Sequence, residues 1–207
     1  IMKTPIKEEK ILMRTKYKKI RDEISPDDKI VFDNAIYDCF INTMAYKNSN
    51  QILLYASMEK EIDTYKIFNK ALEDKKMCLF PKCTKPSEMT FFYVNGINDL
   101  NKGSFNIAEP KGDIIYSPEH FDVCVIPAFS YDINGYRLGY GKGYYDRFLA
   151  NFNGIKIGLC YNDFVEKVLP RGRYDIKVDI LITDKGVFPL QSIGKESTEK
   201  NFYLPRK

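Results

Sequence analysis

The sequence predicts a single α/β domain built on a mostly parallel sheet, with helices on both faces. Three observations carry this. Near-continuous apolar runs, as found in strands buried on both sides, occur at Gln51 to Ala56, Asp122 to Ile126, Ile155 to Cys160 and Asp179 to Thr183. Stretches of helical spacing lie between such runs, so strands and helices alternate as in βαβ units. A length of 207 residues, 44% of them hydrophobic, is enough for one core without staples. The expected domain covers residues 1–190, with a polar tail over 191–207.

The elements follow in order. Thr4 to Ile24 reads as a helix, with Ile6, Met13, Tyr17, Ile20 and Ile24 on one face. Ser25-Pro26-Asp27-Asp28 starts a second helix, expected to reach about Ala45. Ser25 caps it, Pro26 takes the first helical position, and two carboxylates meet the positive end of the helix dipole. Gln51 to Ala56 is a buried strand, and Thr64 to Asp74 is a helix through Ile67, Phe68, Ala71 and Leu72. Met77 to Phe80 is a short strand that Pro81 should stop, and Thr90 to Val94 is another. Asp122 to Ile126, ended by Pro127, is the most strand-like run. Lys142 to Asn151 has helical spacing, and Ile155 to Cys160 and Asp179 to Thr183 complete the sheet. Ligands of parallel sheets gather at the carboxyl ends of strands, so the chemistry should lie just after Ala56, Pro127 and Cys160.

Composition narrows the function. The 32 Lys and Arg against 28 Asp and Glu leave a net charge of +4. That favours small anionic ligands and falls short of a dedicated nucleic-acid binder. One histidine, His120, excludes a site with several His ligands and reads as a surface or core residue. Five scattered cysteines fit a reduced, cytoplasmic protein. No apolar run approaches transmembrane length, and the charged N-terminus lacks the apolar stretch of a signal peptide.

The stretch from Pro127 to Leu149 is the most informative. Gly135, Gly139, Gly141 and Gly143 place four of the twelve glycines within nine residues, directly after the best strand. Alternating glycines let backbone N–H groups approach an anion without Cβ obstruction. A helix beginning near Lys142 would add its free N–H groups, and Lys142 a movable charge. The spacing is neither a Walker A loop nor a Rossmann fingerprint, and an ordinary Gly-rich turn with an exposed lysine is the plain reading beside it. On the first helix, Lys7, Lys10, Arg14, Lys18 and Arg21 fall three or four apart, on one arc with no acidic residue to relieve them. Lys7 and Lys18 fit a solvated face, while Lys10 and Arg14 are candidates for an anion. In Ala56 to Thr64, Glu61 and Asp63 stand where they could cap the next helix or accept hydrogen bonds from a ligand's amino or ring N–H groups.

Together these pieces resemble the 5-formyltetrahydrofolate cyclo-ligase family, also called methenyltetrahydrofolate synthetases. The resemblance covers nearly the whole chain. It runs from Lys10 to Arg14, through Ser57 to Thr64 and Gly103 to Pro110, peaks over Gly135 to Asp146, and ends at Asp175-Ile176-Lys177-Val178-Asp179. It implies a three-layer α/β domain that closes 5-formyltetrahydrofolate to 5,10-methenyltetrahydrofolate with ATP and Mg²⁺. By matching position, Lys10 and Arg14 would contact the nucleotide phosphates. Arg137, Leu138, Gly139, Tyr140, Gly141, Lys142, Gly143, Tyr144 and Tyr145 would form the nucleotide loop, with Lys142 and Arg137 catalytic. Glu61 would bind the pterin, and Met58, Met89, Phe105, Tyr144 and Tyr145 would line the folate slot. Asp146 and Asp175 would hold Mg²⁺. The chain lacks Trp, and Phe105 stands where some members carry one.

That reaction suits these residue types. The formyl oxygen becomes a leaving group once phosphorylated, and the substrate supplies the nucleophile, so no Ser, Cys or His is required. The protein needs anion clamps, a metal and positioning. The expected partners are ATP and 5-formyltetrahydrofolate, with or without a polyglutamate tail, acted on by a monomer without nucleic acid or membrane. The alternative is an RNA-binding protein using the basic helix and the Tyr-rich loop.

Overall fold

The computed structural model describes residues 5–85, 88–103, 107–119 and 122–191; Phe105, His120 and residues 192–207 lie outside them. Its helices are α1 (Ile6–Asp22), α2 (Pro26–Asn42), α3 (Met44–Asn48), α4 (Tyr65–Glu73) and α5 (Tyr144–Leu149). Its strands are β1 (Gln51–Leu53), β2 (Met77–Lys85), β3 (Glu88–Val94), β4 (Leu100–Lys102), β5 (Ala108–Pro110) and β6 (Val123–Ile126). They continue as β7 (Ser130–Asp132), β8 (Arg137–Leu138), β9 (Ile155–Leu159), β10 (Val165–Glu166), β11 (Ile180–Thr183) and β12 (Gly186–Phe188).

The main sheet has the order β12-β11-β9-β6-β1-β2-β3. Its five inner strands run parallel, and β12 and β3 close the edges antiparallel. Every residue of β1, β6 and β11 is buried, which is why these segments read as unbroken apolar runs. Phe68 of α4 meets Phe80 of β2 edge-on at 5.1 Å, and Phe148 of α5 packs on Phe91 of β3 at 4.7 Å. Phe80 stands opposite Phe92 in the ladder, so the neighbouring Phe91 points the other way. The two helices therefore cover opposite faces.

Several expected boundaries move: β1 ends at Leu53 rather than Ala56, β3 starts at Glu88 rather than Thr90, and α1 spans Ile6–Asp22. Three further shifts have a visible cause. Pro81 does not stop β2, which runs on to Lys85. Leu79 bonds toward β1 through its carbonyl, received from Leu54 N–H at 2.8 Å, and Pro81 faces the same side two residues later, where β1 has ended. The missing N–H thus breaks no ladder bond. The second helix ends at Asn42 rather than Ala45, because Thr43 turns extended and its hydroxyl accepts from Tyr46 N–H at 3.1 Å to cap α3. The helix expected from Lys142 begins at Tyr144 and has only six residues, leaving Lys142 in the loop.

The chain leaves β1 toward β2 and returns on the other side through β6, so strand order reverses between β1 and β6. A smaller sheet, β10-β7-β8, adjoins that point. The buried Asp132 pins its β7–β8 turn: Oδ1 accepts from Asn134 and Tyr136 N–H, and Oδ2 from Leu169 N–H. Gly135 takes φ +86° in this turn, and a Cβ there would come within 3.0 Å of the Val178 carbonyl.

Candidate active site

A cleft of about 330 Å³, including its open mouth, lies at the carboxyl ends of β1, β6 and β9. Tyr55, Pro127, Ala128 and Cys160 come from those strand ends, and Arg21 and Glu61 join them. This is the switch point of the sheet, where two neighbouring crossovers diverge and leave a crevice.

The Ser57 to Thr64 segment separates its two carboxylates. Asp63 Oδ1 accepts from Tyr65 N–H at 2.8 Å and so serves the start of α4. Glu61 turns into the cleft, only 7% exposed. Its Oε2 accepts from Met58 N–H at 2.8 Å, and its Oε1 accepts from the Tyr140 hydroxyl. Burial, then the Glu61 charge, pushes the Tyr140 phenol well up.

The glycine loop follows β8 and meets the cleft through the Tyr140 hydroxyl on Glu61. Arg137 is buried; Nη2 pairs with Asp146 Oδ1 at 2.7 Å and Nη1 donates to the Ile176 carbonyl at 3.1 Å. Leu138 is buried in the core, and its carbonyl accepts from Phe129 N–H at 2.9 Å. Gly141 takes φ +94°, and a Cβ there would lie 3.1 Å from the Arg14 guanidinium. Gly143 precedes α5 at φ +68°, close against Arg147. Lys142 is exposed, and its ammonium makes no hydrogen bond or ion pair among the described residues.

Helix α1 lies along this loop. Arg14 Nε donates to the Gly139 carbonyl at 2.7 Å, and burial lowers the Arg14 pKa, partly offset by the charge of Asp175. Lys10 pairs with Asp175, which also accepts from Gly172 N–H at 2.9 Å. Tyr17 donates to Glu166, and that bond is the first cause of the lowered Glu166 pKa. The inner part of the basic arc is thus turned onto the chain's own loop, while Lys7 and Lys18 are exposed.

The expected residues gather unevenly. Asp146 Oδ1 also accepts from Ile176 N–H at 3.2 Å, which brings it beside Asp175. Tyr145 packs on Phe91, and Met89 shares that face of β3 two residues away. The Tyr145 hydroxyl is buried without a partner among the described residues, and burial raises its pKa well above the usual 10. Tyr144 is half-buried and its ring lies 5.4 Å from the Arg147 guanidinium. Among the described contacts, none links Met89 to Glu61, and Phe105 lies outside the described residues.

Sequence reasoning left out two contributors. Arg21 lies on the basic arc two turns beyond Arg14, and its spacing was the available signal. Asp33 of α2, buried, accepts from Tyr161 at 2.8 Å and Asp63 N–H at 3.3 Å, and so braces the cleft wall. Its i,i+4 pair with Lys29 reads as an ordinary helix-face ion pair, and nothing in the sequence marks the bracing role, because those two partners are 30 and 128 residues away.

Fold and cleft together define a class: an α/β enzyme with its ligand site at the switch point of a doubly wound sheet. The model of the 5-formyltetrahydrofolate cyclo-ligase family matches residues 6–184. A solved 5,10-methenyltetrahydrofolate synthetase from Aquifex aeolicus superposes with a TM-score of 0.78 at 30% identity, over 93% of this chain and 98% of that one. A second, from Mycoplasma pneumoniae, shares the fold with a TM-score of 0.68 at 23% identity, over 84% of this chain and 98% of that one. The 5-formyltetrahydrofolate cyclo-ligase of Saccharomyces cerevisiae is 26% identical, over 86% of this chain and 96% of its own. The mitochondrial one of Arabidopsis thaliana is 26% identical, over 91% of this chain and 79% of its own. The chain belongs to the 5-formyltetrahydrofolate cyclo-ligase family and is an enzyme. Among the described residues no helix is long and apolar enough to cross a membrane.

Proposed function

We propose that the chain closes 5-formyltetrahydrofolate to 5,10-methenyltetrahydrofolate, converting ATP to ADP and phosphate. The observation that supports this most is that, in a member of this family, Tyr140 of the glycine loop and Arg21 of α1 meet the Glu61 carboxylate at the cleft, while Arg14 holds the same loop at Gly139. Residues 1–190 carry the activity. The working unit in this reading is a monomer, and five free cysteines support a reducing setting such as the cytoplasm.

The formyl oxygen attacks the terminal phosphorus of ATP. An O–P bond forms, the P–O bond to ADP breaks, and N5 carries an iminium phosphate. N10 then attacks the formyl carbon and loses its proton, the C–O bond breaks, and phosphate leaves. Glu61 orients the pterin through its amino and N3–H groups. Met58, Met89, Phe105, Tyr144 and Tyr145 enclose the folate. Lys10 and Arg14 meet the phosphates beside the N–H groups of residues 137–145. Lys142, exposed on the loop, follows the charge of the moving phosphoryl group. Arg137, already committed to Asp146 and Ile176, holds the metal carboxylate in place.

Asp146 and Asp175 fit Mg²⁺ as hard, part-buried carboxylates, 24% and 20% exposed, with Asp146 bonded to the N–H of the residue that follows Asp175. Mg²⁺ is held through one or two protein carboxylates more often than by an all-protein cage, so a pair is enough. Bound there, Mg²⁺ would shield the phosphate charge.

The test is to mix purified protein, 5-formyltetrahydrofolate and MgATP and follow the methenyl chromophore. It should appear only when all components are present. Steeply salt-dependent RNA binding without turnover would instead establish the RNA-binding reading.

A further inference from the structure

One hydroxyl stands between two charged groups in the cleft. Tyr140 donates its O–H to Glu61 Oε1 and accepts from Arg21 Nη1 at 3.1 Å. The Arg21 guanidinium lies over the Phe129 ring, 4.6 Å from its centroid, and Phe129 packs on Tyr140 at 4.6 Å. Arg21 Nε is buried and has no partner among the described residues, and no carboxylate pairs with Arg21 there. The cleft therefore offers an acceptor, Glu61, beside an under-used set of fixed N–H donors, Arg21. The hydroxyl joins them because it can donate and accept at once.

A ligand that replaces that hydroxyl needs a donor next to an acceptor on one edge. The 2-amino-4-oxo pyrimidine ring of a reduced pterin has this edge: amino and N3–H donors beside the C4 carbonyl. We propose that Arg21 determines substrate specificity by donating to the pterin C4 carbonyl while Glu61 accepts from the amino and N3–H groups, the pterin edge taking over the bonds that both make to the Tyr140 hydroxyl. This rests on the reading of Glu61 as the pterin carboxylate and adds a second reader to it. Arg21 suits the task because stacking on Phe129 fixes the plane of its N–H groups, and because Nε lacks a partner that a carbonyl can supply.

The experiment measures equilibrium binding of 5-formyltetrahydrofolate and of its 4-amino-4-deoxy analogue, which sets a donor where the carbonyl stood and leaves N3 without the hydrogen that Glu61 accepts; the Glu61 share of the preference stays in variants of Arg21, and the Arg21 share is lost. Wild type should prefer the 4-oxo ligand, since the analogue brings two donors face to face. Arg21→Met should weaken the 4-oxo ligand by about 10-fold or more, as expected for a lost hydrogen bond to a charged group, and shrink the preference by a similar factor. Arg21→Lys, which keeps the charge and loses the paired planar donors, should also shrink it and carries the test should Arg21→Met not fold. Equal weakening of both ligands, or an unchanged preference in the folded variants, overturns the proposal and leaves Glu61 untouched. Glu61→Gln is measured alongside: wild-type binding of 5-formyltetrahydrofolate by that variant removes the underlying site reading, and the Arg21 proposal with it.

Discussion

Lys142 stands exposed beside cations that are already engaged. Lys10 holds Asp175 and Arg14 holds the Gly139 carbonyl, whereas the Lys142 ammonium makes no hydrogen bond or ion pair among the described residues. A group that is free before the reaction can move with the charge as it spreads over the transferring phosphoryl oxygens. Lys142→Met is therefore expected to lower kcat by about 10²–10³-fold, as for loss of one transition-state donor, with a smaller change in folate affinity. An unchanged kcat at a normal melting temperature would remove Lys142 from the catalytic machinery. Asp175 is the opposite case, because its carboxylate is shared between the Lys10 ammonium and Gly172 N–H. Asp175→Asn should raise the Mg²⁺ needed for half-maximal turnover roughly 10-fold, the lower end of losses seen around metal ligands. Wild-type turnover at limiting Mg²⁺ would release Asp175 from that role. Residue types in runs, such as the glycine loop and the basic arc, were legible in the sequence. The partners of Glu61 and Arg21 were not, because the Tyr140 hydroxyl lies 79 residues from one and 119 from the other.

At the scale of elements, the loop between β8 and α5 depends on its backbone. Gly141 sits at φ +94° with the Arg14 guanidinium where a side chain would begin. Gly141→Ala adds backbone strain of about 1–2 kcal/mol and displaces Arg14 from the Gly139 carbonyl. Each kcal/mol lowers melting by about 2–4 °C in a chain this long, so a fall of roughly 2–8 °C is expected. KM for ATP should rise more than KM for folate. Unaltered melting and an unaltered KM for ATP would show that the loop tolerates a side chain there. The helices α1, α2 and α4 were readable from apolar spacing and from the Ser25-Pro26 start, since both signals are local. Strand β2 was cut short at Pro81 because the ladder side on which a proline falls depends on a neighbour distant in sequence. Helix α5 was overextended because Lys142 and the residues past Leu149 keep helical spacing while positive φ at Gly141 and Gly143 holds its start back to Tyr144.

Across the whole molecule, the sheet and the cleft share a set of buried phenols. Tyr131 is fully buried beneath the cleft; its hydroxyl donates to the Ile126 carbonyl at 2.7 Å, and its ring occupies the space that a side chain at Gly158 would need. Tyr55 donates to the Ile62 carbonyl at 3.0 Å, and the Tyr145 hydroxyl is buried without a partner among the described residues. Burial is the first cause that raises all three pKa values above the usual 10, and the Glu61 charge adds to the rise at Tyr55 and Tyr145. A phenol whose folded-state pKa is raised contributes its full stability below the unfolded value near 10. The contribution is lost as pH climbs from there toward the folded value, because only the unfolded chain can then release the proton. Each such phenol makes stability fall as pH rises through that window, and their losses add. Against a marginal total stability, cooperative unfolding is expected above the usual phenol pKa of about 10. Tyrosinate absorbance should rise in two phases, the surface phenols reversibly and first, the buried ones together with the loss of near-UV dichroism. A single smooth titration, complete before any loss of structure, would mean that water reaches these hydroxyls and that the wall between core and cleft is open.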